Sequence, residues 1–398
     1  MAKAKVLVAG AGPVGLVSAM VLAEAGLDVE VFERNADVME DLRASTFHPP
    51  TLDMLAPYGI SDALVASGLK ARITQQRDRR KGLIAEFDLE RLAGSTGYPF
   101  RLQCEQWKLN AELVRKLEGY PNVTLRFGCA VEAARQDDQE VTLRLQTPEG
   151  AQEARGDYLI GADGAWSTVR RSLGIDFEGY TYPERFLVVS TDFPFEDHFD
   201  KLSWVNYVSD PEEWCVMLKV PSLWRVLFPT AADESDEHML SDEVIEARLQ
   251  GLLPCPAAYR IVHRTLYKVH QRVASRFRLG RVMLAGDAAH INNPLGGMGM
   301  NGGVHDAFNL AAKLVEVIEG RAPDTLLDRY ERQRRTIAIE YINANTARNK
   351  QLIEERDEAA RTRIHAELRA TAGDPEASLA YIRKTSMFDA LERAGSIA

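Results

Sequence analysis

The sequence predicts an α/β chain: a parallel sheet wrapped by helices, an inserted antiparallel sheet, and a helical C-terminus. Three observations predict it. The chain opens strand–helix–strand, residues from Phe186 to Thr230 turn strand-rich and aromatic, and the stretch after Tyr330 is charged with helical periodicity. A βαβ opening implies a parallel sheet covered on both faces. Short aromatic strands in close succession imply an antiparallel one.

The elements follow in order. Lys3–Ala9 is a short apolar run that reads as a buried strand. Pro13–Ala25 carries helical spacing through Val14, Val17, Met20 and Val21, Gly26 stops it, and Asp28–Glu33 is the next strand. Thr51–Tyr58 reads as a helix ended by Gly59, and Ala71–Phe87 as two strands joined by the polar turn Asp78–Gly82. Gln106–Leu117 is a helix, with Val123–Phe127, Val141–Gln146 and Asp157–Ile160 as strands.

The inserted sheet is expected from Leu187–Asp192, Leu202–Val208, Trp214–Val220 and Arg225–Phe228. Ser241 caps a helix within Ala232–Gln250, with Asp242 and Glu243 in its first turn. Arg281–Ala285 is a buried strand and Gly302–Glu319 a helix running to Gly320. The expected organisation is a discontinuous nucleotide-binding domain over 1–175 and 265–330, with 70–100 lending strands to the substrate side. A β-sheet substrate domain fills 176–264, and a helical region 331–398.

Composition narrows the function. The 398 residues are 45% hydrophobic and 27% charged, ordinary for a globular protein of two domains. A formal net charge of −10 argues against nucleic acid as a partner, since phosphate binding needs clustered positive charge. No window is apolar enough for a transmembrane segment, and the N-terminus enters a strand without an export signal, so a cytoplasmic location is expected. Cys104, Cys129, Cys215 and Cys255 lack paired spacing, which removes disulfide and metal readings.

Two segments carry the chemistry. Gly10-Ala11-Gly12-Pro13-Val14-Gly15 is GxGxxG between a strand and a helix. Gly10 permits the tight turn, Gly12 lets the backbone approach a pyrophosphate, and Gly15 lets helix and strand pack closely. The helix N-terminus offers free N–H groups to phosphate. Glu33 ends the second strand, where an acid accepts from a ribose hydroxyl. The second segment is Gly286-Asp287-Ala288-Ala289-His290, followed by Pro294 through Asn301 and a helix. Asp287 is placed to meet a ribityl or ribose hydroxyl. The loop, with Gly296, Gly297, Gly299 and Gly302, is able to pass against a flat ring, and its N–H groups suit a developing anion. A dinucleotide held at both ends points to a flavin. Asp157–Arg170 is a third segment, in which Asp163 either holds a cofactor hydroxyl or caps the following helix.

With these three motifs in order over most of Lys3–Tyr330, the chain resembles the group A FAD-dependent aromatic monooxygenases, the para-hydroxybenzoate hydroxylase-like family. The resemblance implies a Rossmann-like FAD-binding domain of the GR2 type. It implies a tightly bound FAD, NADH or NADPH as a transient co-substrate, and O2. Glu33 would bind the adenosine ribose and Asp287 the ribityl chain, with Arg34 also among the cofactor-binding residues. Arg43 would lie near the pyrophosphate and Gln106 against the flavin. The Val131 backbone would lie near adenine, and Asp163 with Arg170 would serve both FAD and the nicotinamide nucleotide. Pro294, Gly297, Gly299, Met300 and Asn301 would line the reactive ring. The activity implied is hydroxylation of a small aromatic or heteroaromatic, phenolic substrate through a flavin C4a-hydroperoxide.

The substrate side is less legible. Tyr207, Trp214, Met217 and Arg225 of the insert, with His48 and Tyr267 outside it, are candidates to face the ring, and packing competes for each. Arg225, in the apolar run WRVLF, needs either a substrate carboxylate or a structural acid. His290 reads as a structural hydrogen bond rather than a base. The rival functions are a flavin reductase or dehydrogenase without oxygen insertion, a non-catalytic flavin-binding protein, and a plain NAD-dependent dehydrogenase. The helical tail fits packing or self-association, with a homodimer as the candidate assembly.

Overall fold

The computed structural model describes residues 4–40 and 44–398. Four sheets form. The first has six strands in the order Arg278–Leu279, Val282–Leu284, Tyr158–Gly161, Lys5–Ala9, Asp28–Phe32, Val123–Arg126. All its pairings are parallel except the edge pair Arg278–Leu279 with Val282–Leu284. Lys5–Ala9 is central, with Val6 level with Val29 on one side and Tyr158 on the other. Its four apolar residues are buried, as a strand covered on both faces requires.

The helix Pro13–Glu24 buries nearly all of its circumference, which explains why it shows no amphipathic stripe. It packs between the six-stranded sheet and two helices, Gln106–Leu117 and Met298–Ile318. The second sheet, antiparallel, is Gly150–Gly156, Val141–Thr147, Ala130–Gln136.

The third sheet has eight strands in the order His290–Ile291, Ile261–Ala274, Phe177–Thr191, Leu223–Pro229, Cys215–Val220, Val205–Ser209, Ile73–Asp78, Gly82–Asp88. It is antiparallel except where Val205–Ser209 meets Ile73–Asp78. The insert therefore shares its sheet with strands from three other parts of the chain. Ile261–Ala274 runs through the expected boundary at 264–265. A small fourth sheet, Thr46–Phe47, Arg101–Gln103, Leu69–Ala71, sits beneath it.

Several boundaries differ from the sequence reading. The helix expected from Gly302 begins at Met298, because Gly297 takes a left-handed φ of +67° and caps it. Met298 to Asn301 thus belong to the helix rather than to a loop. Pro49 opens the helix expected at Thr51, a favourable first-turn position for proline. Strand Phe177–Thr191 is far longer than Leu187–Asp192, and its outer half is exposed, so no apolar run announced it. Ser241 caps Asp242–Leu252 as expected, accepting from Val244 N–H. The tail forms the helices Glu358–Gly373, Pro375–Thr385 and Phe388–Ser396, and the first two pack on Gly82–Asp88.

Candidate active site

The two glycine segments meet in space. Gly10 has φ +100°, and a Cβ there would stand 2.5 Å from the Ala162 carbonyl oxygen, so the turn admits only glycine. A Cβ on Gly15 would fall 1.9 Å from the Gly10 oxygen, while Gly12 faces open space. Gly12 caps the Pro13 helix without a side-chain hydrogen bond. Gly297 likewise caps the Met298 helix without one. Two uncapped helix N-termini, both positive dipole ends, suit the anionic parts of a dinucleotide.

Each expected cofactor residue has a definite place. Glu33 accepts from Ala11 N–H at 2.9 Å through Oε2 and from Asn35 through Oε1, so its carboxylate braces the glycine turn. Arg34 is exposed, and Arg43 lies outside the described residues. Gln106 opens its helix, its N–H donating to Ala44 O at 2.9 Å. Val131 stands opposite Leu145 in the second sheet. Asp163 Oδ2 accepts from Val169 N–H at 3.0 Å, while Oδ1 is buried without a partner. One carboxylate oxygen of Asp163 therefore caps the following helix, and the other is left without a partner. Arg170 is anchored on Ala288 O at 2.8 Å and stacks over Phe177, tying the Asp163 and Gly286 turns together.

Asp287 is exposed between buried Gly286 and Ala288. The turn beneath it is fixed from inside. Asp306 Oδ2 accepts from Gly286 N–H at 3.0 Å and pairs with His290 Nε2 at 2.8 Å, while Oδ1 accepts from Arg334 Nε at 2.5 Å. Burial pushes the Asp306 carboxyl up, but Arg334 and His290 outweigh it and hold it at about 2. His290 is therefore a structural partner, as the sequence reading favoured. Asp306 and Arg334 were not anticipated, since each sits singly in a helical pattern.

The ring-side residues are also interlocked. Gly297 N–H donates to Pro294 O at 3.0 Å, which shapes the loop. Gly299 and Met300 lie half-buried in the first helical turn. Asn301 Oδ1 accepts from His48 N–H at 2.9 Å, and its Nδ2 donates to Thr46 O and Gly297 O at 2.8 and 2.7 Å. His48 Nε2 contacts Gly296 O at 2.8 Å, and burial together with the nearby Arg101 keeps the ring neutral.

Four of the expected substrate-side residues converge here. Leu295, inside the flavin-side loop, belongs to one apolar cluster with Phe186, Tyr207 and Trp214, against which Tyr267 packs. Burial pushes the Tyr267 hydroxyl up to about 12, against the nearby Arg225. Arg225 Nη1 donates to Ser45 Oγ at 3.1 Å, just before the Thr46–Phe47 strand. Met217 lies instead in a separate cluster with Trp224 and Phe228, on the side away from Leu295. Arg101 is the residue the sequence did not single out: it donates to the Tyr207 hydroxyl at 3.2 Å. Two cavities of about 570 and 310 Å³ lie elsewhere, lined by Tyr341 and Arg348 and by Lys70 and Trp204 respectively.

The fold and the paired helix termini define a dinucleotide-binding flavoprotein. A family model described as "FAD binding domain" matches residues 3–345, and the chain belongs to that family. It is 36% identical over 374 residues to the para-nitrophenol 4-monooxygenase of Pseudomonas sp. strain WBC-3, covering 93% of this chain and 92% of the relative. It is 35% identical to the 6-hydroxy-3-succinoylpyridine 3-monooxygenase HspB of Pseudomonas putida strain S16, covering 87% and 88%. The crystal structure of p-nitrophenol 4-monooxygenase PnpA from Pseudomonas putida DLL-E4 superposes with a TM-score of 0.91 at 35% identity, over 96% of this chain and 98% of that one. The chain is thus a group A FAD-dependent aromatic monooxygenase. No helix among the described residues is long and apolar enough to cross a membrane.

Proposed function

We propose that the enzyme hydroxylates a single-ring phenol or hydroxypyridine at the carbon para to its hydroxyl, consuming NADH or NADPH and O2. One oxygen atom enters the ring and the other leaves as water, the nicotinamide supplying two electrons; where the para carbon bears a nitro group, that group departs as nitrite and the ring product is the para-quinone. The observation that carries the reading is the position of Leu295. This residue of the glycine loop is packed into the aromatic-rich cluster of the eight-stranded sheet, so the cofactor-side loop and an apolar, aromatic lining adjoin. The names of two relatives support the regiochemistry. Carbon 4 of para-nitrophenol and carbon 3 of 6-hydroxy-3-succinoylpyridine both lie opposite the ring oxygen.

In this reading Gly10, Gly12 and the Pro13 helix would hold the FAD pyrophosphate, and Glu33 the adenosine ribose. Asp163 and Asp287 would take the sugar and ribityl hydroxyls. Bound FAD supplies the redox chemistry that activates oxygen. The chain's own part is to exclude water with the Leu295 cluster and to place N–H groups of the Met298 helix where negative charge develops. Screening para-substituted phenols and hydroxypyridines for stimulated NAD(P)H oxidation tests it. Stimulation coupled to one hydroxylated product is expected, and a flavin-loaded protein unresponsive to every such ring would overturn it.

A further inference from the structure

A cleft of about 570 Å³ opens between the helix Ala344–Glu354 and the tail helices. Tyr341, Asn345, Arg348 and Gln351 form one wall, and Lys384 and Asp389 the other. The first wall begins in a π-helix, Ala338–Asn343, a rare geometry that occurs mostly at functional sites. Asn345 Nδ2 donates to Tyr341 O at 2.9 Å and steadies that turn.

Two consecutive carbonyls of the second wall link the cleft to the site. Lys384 O accepts from the Tyr341 hydroxyl, bridging the two walls, and Thr385 O accepts from Arg101 Nη2 at 3.2 Å. Arg101 also donates to Tyr207, a member of the Leu295 cluster. One peptide of the tail therefore stands between the cleft and the residues that touch the aromatic lining. The middle of the Pro375 helix is anchored on the eight-stranded sheet, where Tyr381 stacks on Phe87 at 4.0 Å and accepts from Gln76 at 3.3 Å. Its end is less settled. Ser386 Oγ is buried without a partner, and Met387 takes a φ of +70°, which is costly for a residue with a side chain.

The mouth of the cleft is positive. Glu340 is paired with Arg393 at 3.6 Å and Asp389 with Arg383 at 3.5 Å. Arg348 and Lys384 are exposed and take part in no ion pair among the described residues. Burial pushes the Tyr381 hydroxyl up to about 12 with Arg348 among the cations acting against it, so this charge is felt at the helix that bears Lys384. Unpaired cations at a mouth raise the local concentration of anions and speed their arrival.

We propose that this cleft is the entrance by which an anionic ring substrate reaches the aromatic lining beside Leu295. Arg348 and Lys384 draw the anion in, and the Tyr341–Lys384 hydrogen bond opens to admit it and re-forms behind it. The proposed function supplies the substrate class on which this inference rests.

Stopped-flow mixing of the FAD-loaded enzyme with 4-nitrophenol tests it, without reductant and at a pH where the free phenol is ionised. The absorbance change on binding gives both rate constants. Tyr341→Phe removes only the latch hydroxyl, so association and dissociation should quicken together, roughly two- to tenfold, with Kd unchanged. Arg348→Glu with Lys384→Glu, both at exposed positions, should slow association roughly three- to tenfold at low salt, and high salt should erase the difference. Unaltered rate constants in Tyr341→Phe, a change carried by dissociation alone, or association indifferent to the charge reversals would each overturn the proposal, as would the absence of any binding signal. Entry by the cavity beside Lys70 and Trp204 predicts those unaltered rates, with Lys70→Glu slowing association instead. The expected rate changes with no oxygenated product on turnover would count against the proposed function alone.

Discussion

Val14 and Gly303 touch where the two glycine segments cross: a Cβ on Gly303 would stand 2.6 Å from Val14 Cγ2 and 3.1 Å from Gly286 Cα. The same methyl group leaves no room for a Cβ on Gly286, also at 2.6 Å. Residues some 290 positions apart in sequence are thus fitted as one surface, and the uncapped ends of both helices are positioned together by it.

Gly303→Ala is accordingly expected to cost about 1–3 kcal/mol, because valine is stiff at χ1 and the other neighbour is backbone. Chemical denaturation measures the loss. A weaker grip on FAD, seen as flavin fluorescence released on dilution, should accompany it. An unchanged midpoint and unchanged FAD retention would show that the crossing tolerates a methyl group.

Asp306→Asn should be more damaging. It removes the charge that pairs with buried Arg334 and His290, and breaking such a pair typically costs about 3–5 kcal/mol. The pH dependence has a defined sign. The folded carboxyl is held at about 2, below its ordinary value of about 3.9, so its stabilisation is complete above pH 4 and is lost as pH falls towards 2. Acid titration of stability in wild type and Asp306→Asn should differ in that window and run parallel above it.

Two buried histidines act at milder pH. Burial, with Arg334 nearby, lowers His305 to about 3, and burial with Arg101 lowers His48 well below its usual range. Unfolded, both take up protons near pH 6.5. Stability should therefore fall as pH drops below about 6.5, by up to about 1.4 kcal/mol per pH unit for each histidine. Urea melts at pH 7 and pH 5 read this directly, and His305→Gln should remove part of the slope.

Asn301→Ala should loosen the flavin-side loop. It leaves the His48 N–H and the Thr46 and Gly297 carbonyls short of partners, each unsatisfied group costing about 1–3 kcal/mol. The expected readouts are a lower denaturation midpoint and a perturbed flavin absorbance spectrum. Asn301→Asp, which still accepts from His48, should retain the first of the three bonds and lose less.

The glycine turn was legible in the sequence: Gly10 takes a left-handed φ, Gly15 packs on the Gly10 carbonyl, Gly12 leaves open space beside the turn, and Glu33 follows the next strand. The start of the Met298 helix was misplaced because glycine-rich sequence carries weak helical propensity, and only Gly297's left-handed φ reveals the cap. Arg101 was invisible for a different reason. Its strand is three residues long, and its significance lies in contacts with Tyr207 and Thr385, over a hundred residues away. The tail helices gave a helical pattern but no sign that the Pro375 helix would place the Thr385 carbonyl on Arg101.

The most direct measurement is the fate of molecular oxygen. With 4-nitrophenol or a related para-substituted phenol, NAD(P)H and oxygen gas enriched in the heavy isotope, one labelled atom should appear in the product at the carbon para to the original hydroxyl. Product formed without label would contradict oxygen insertion and return the protein to the flavin reductases. Label at another carbon would contradict the para assignment.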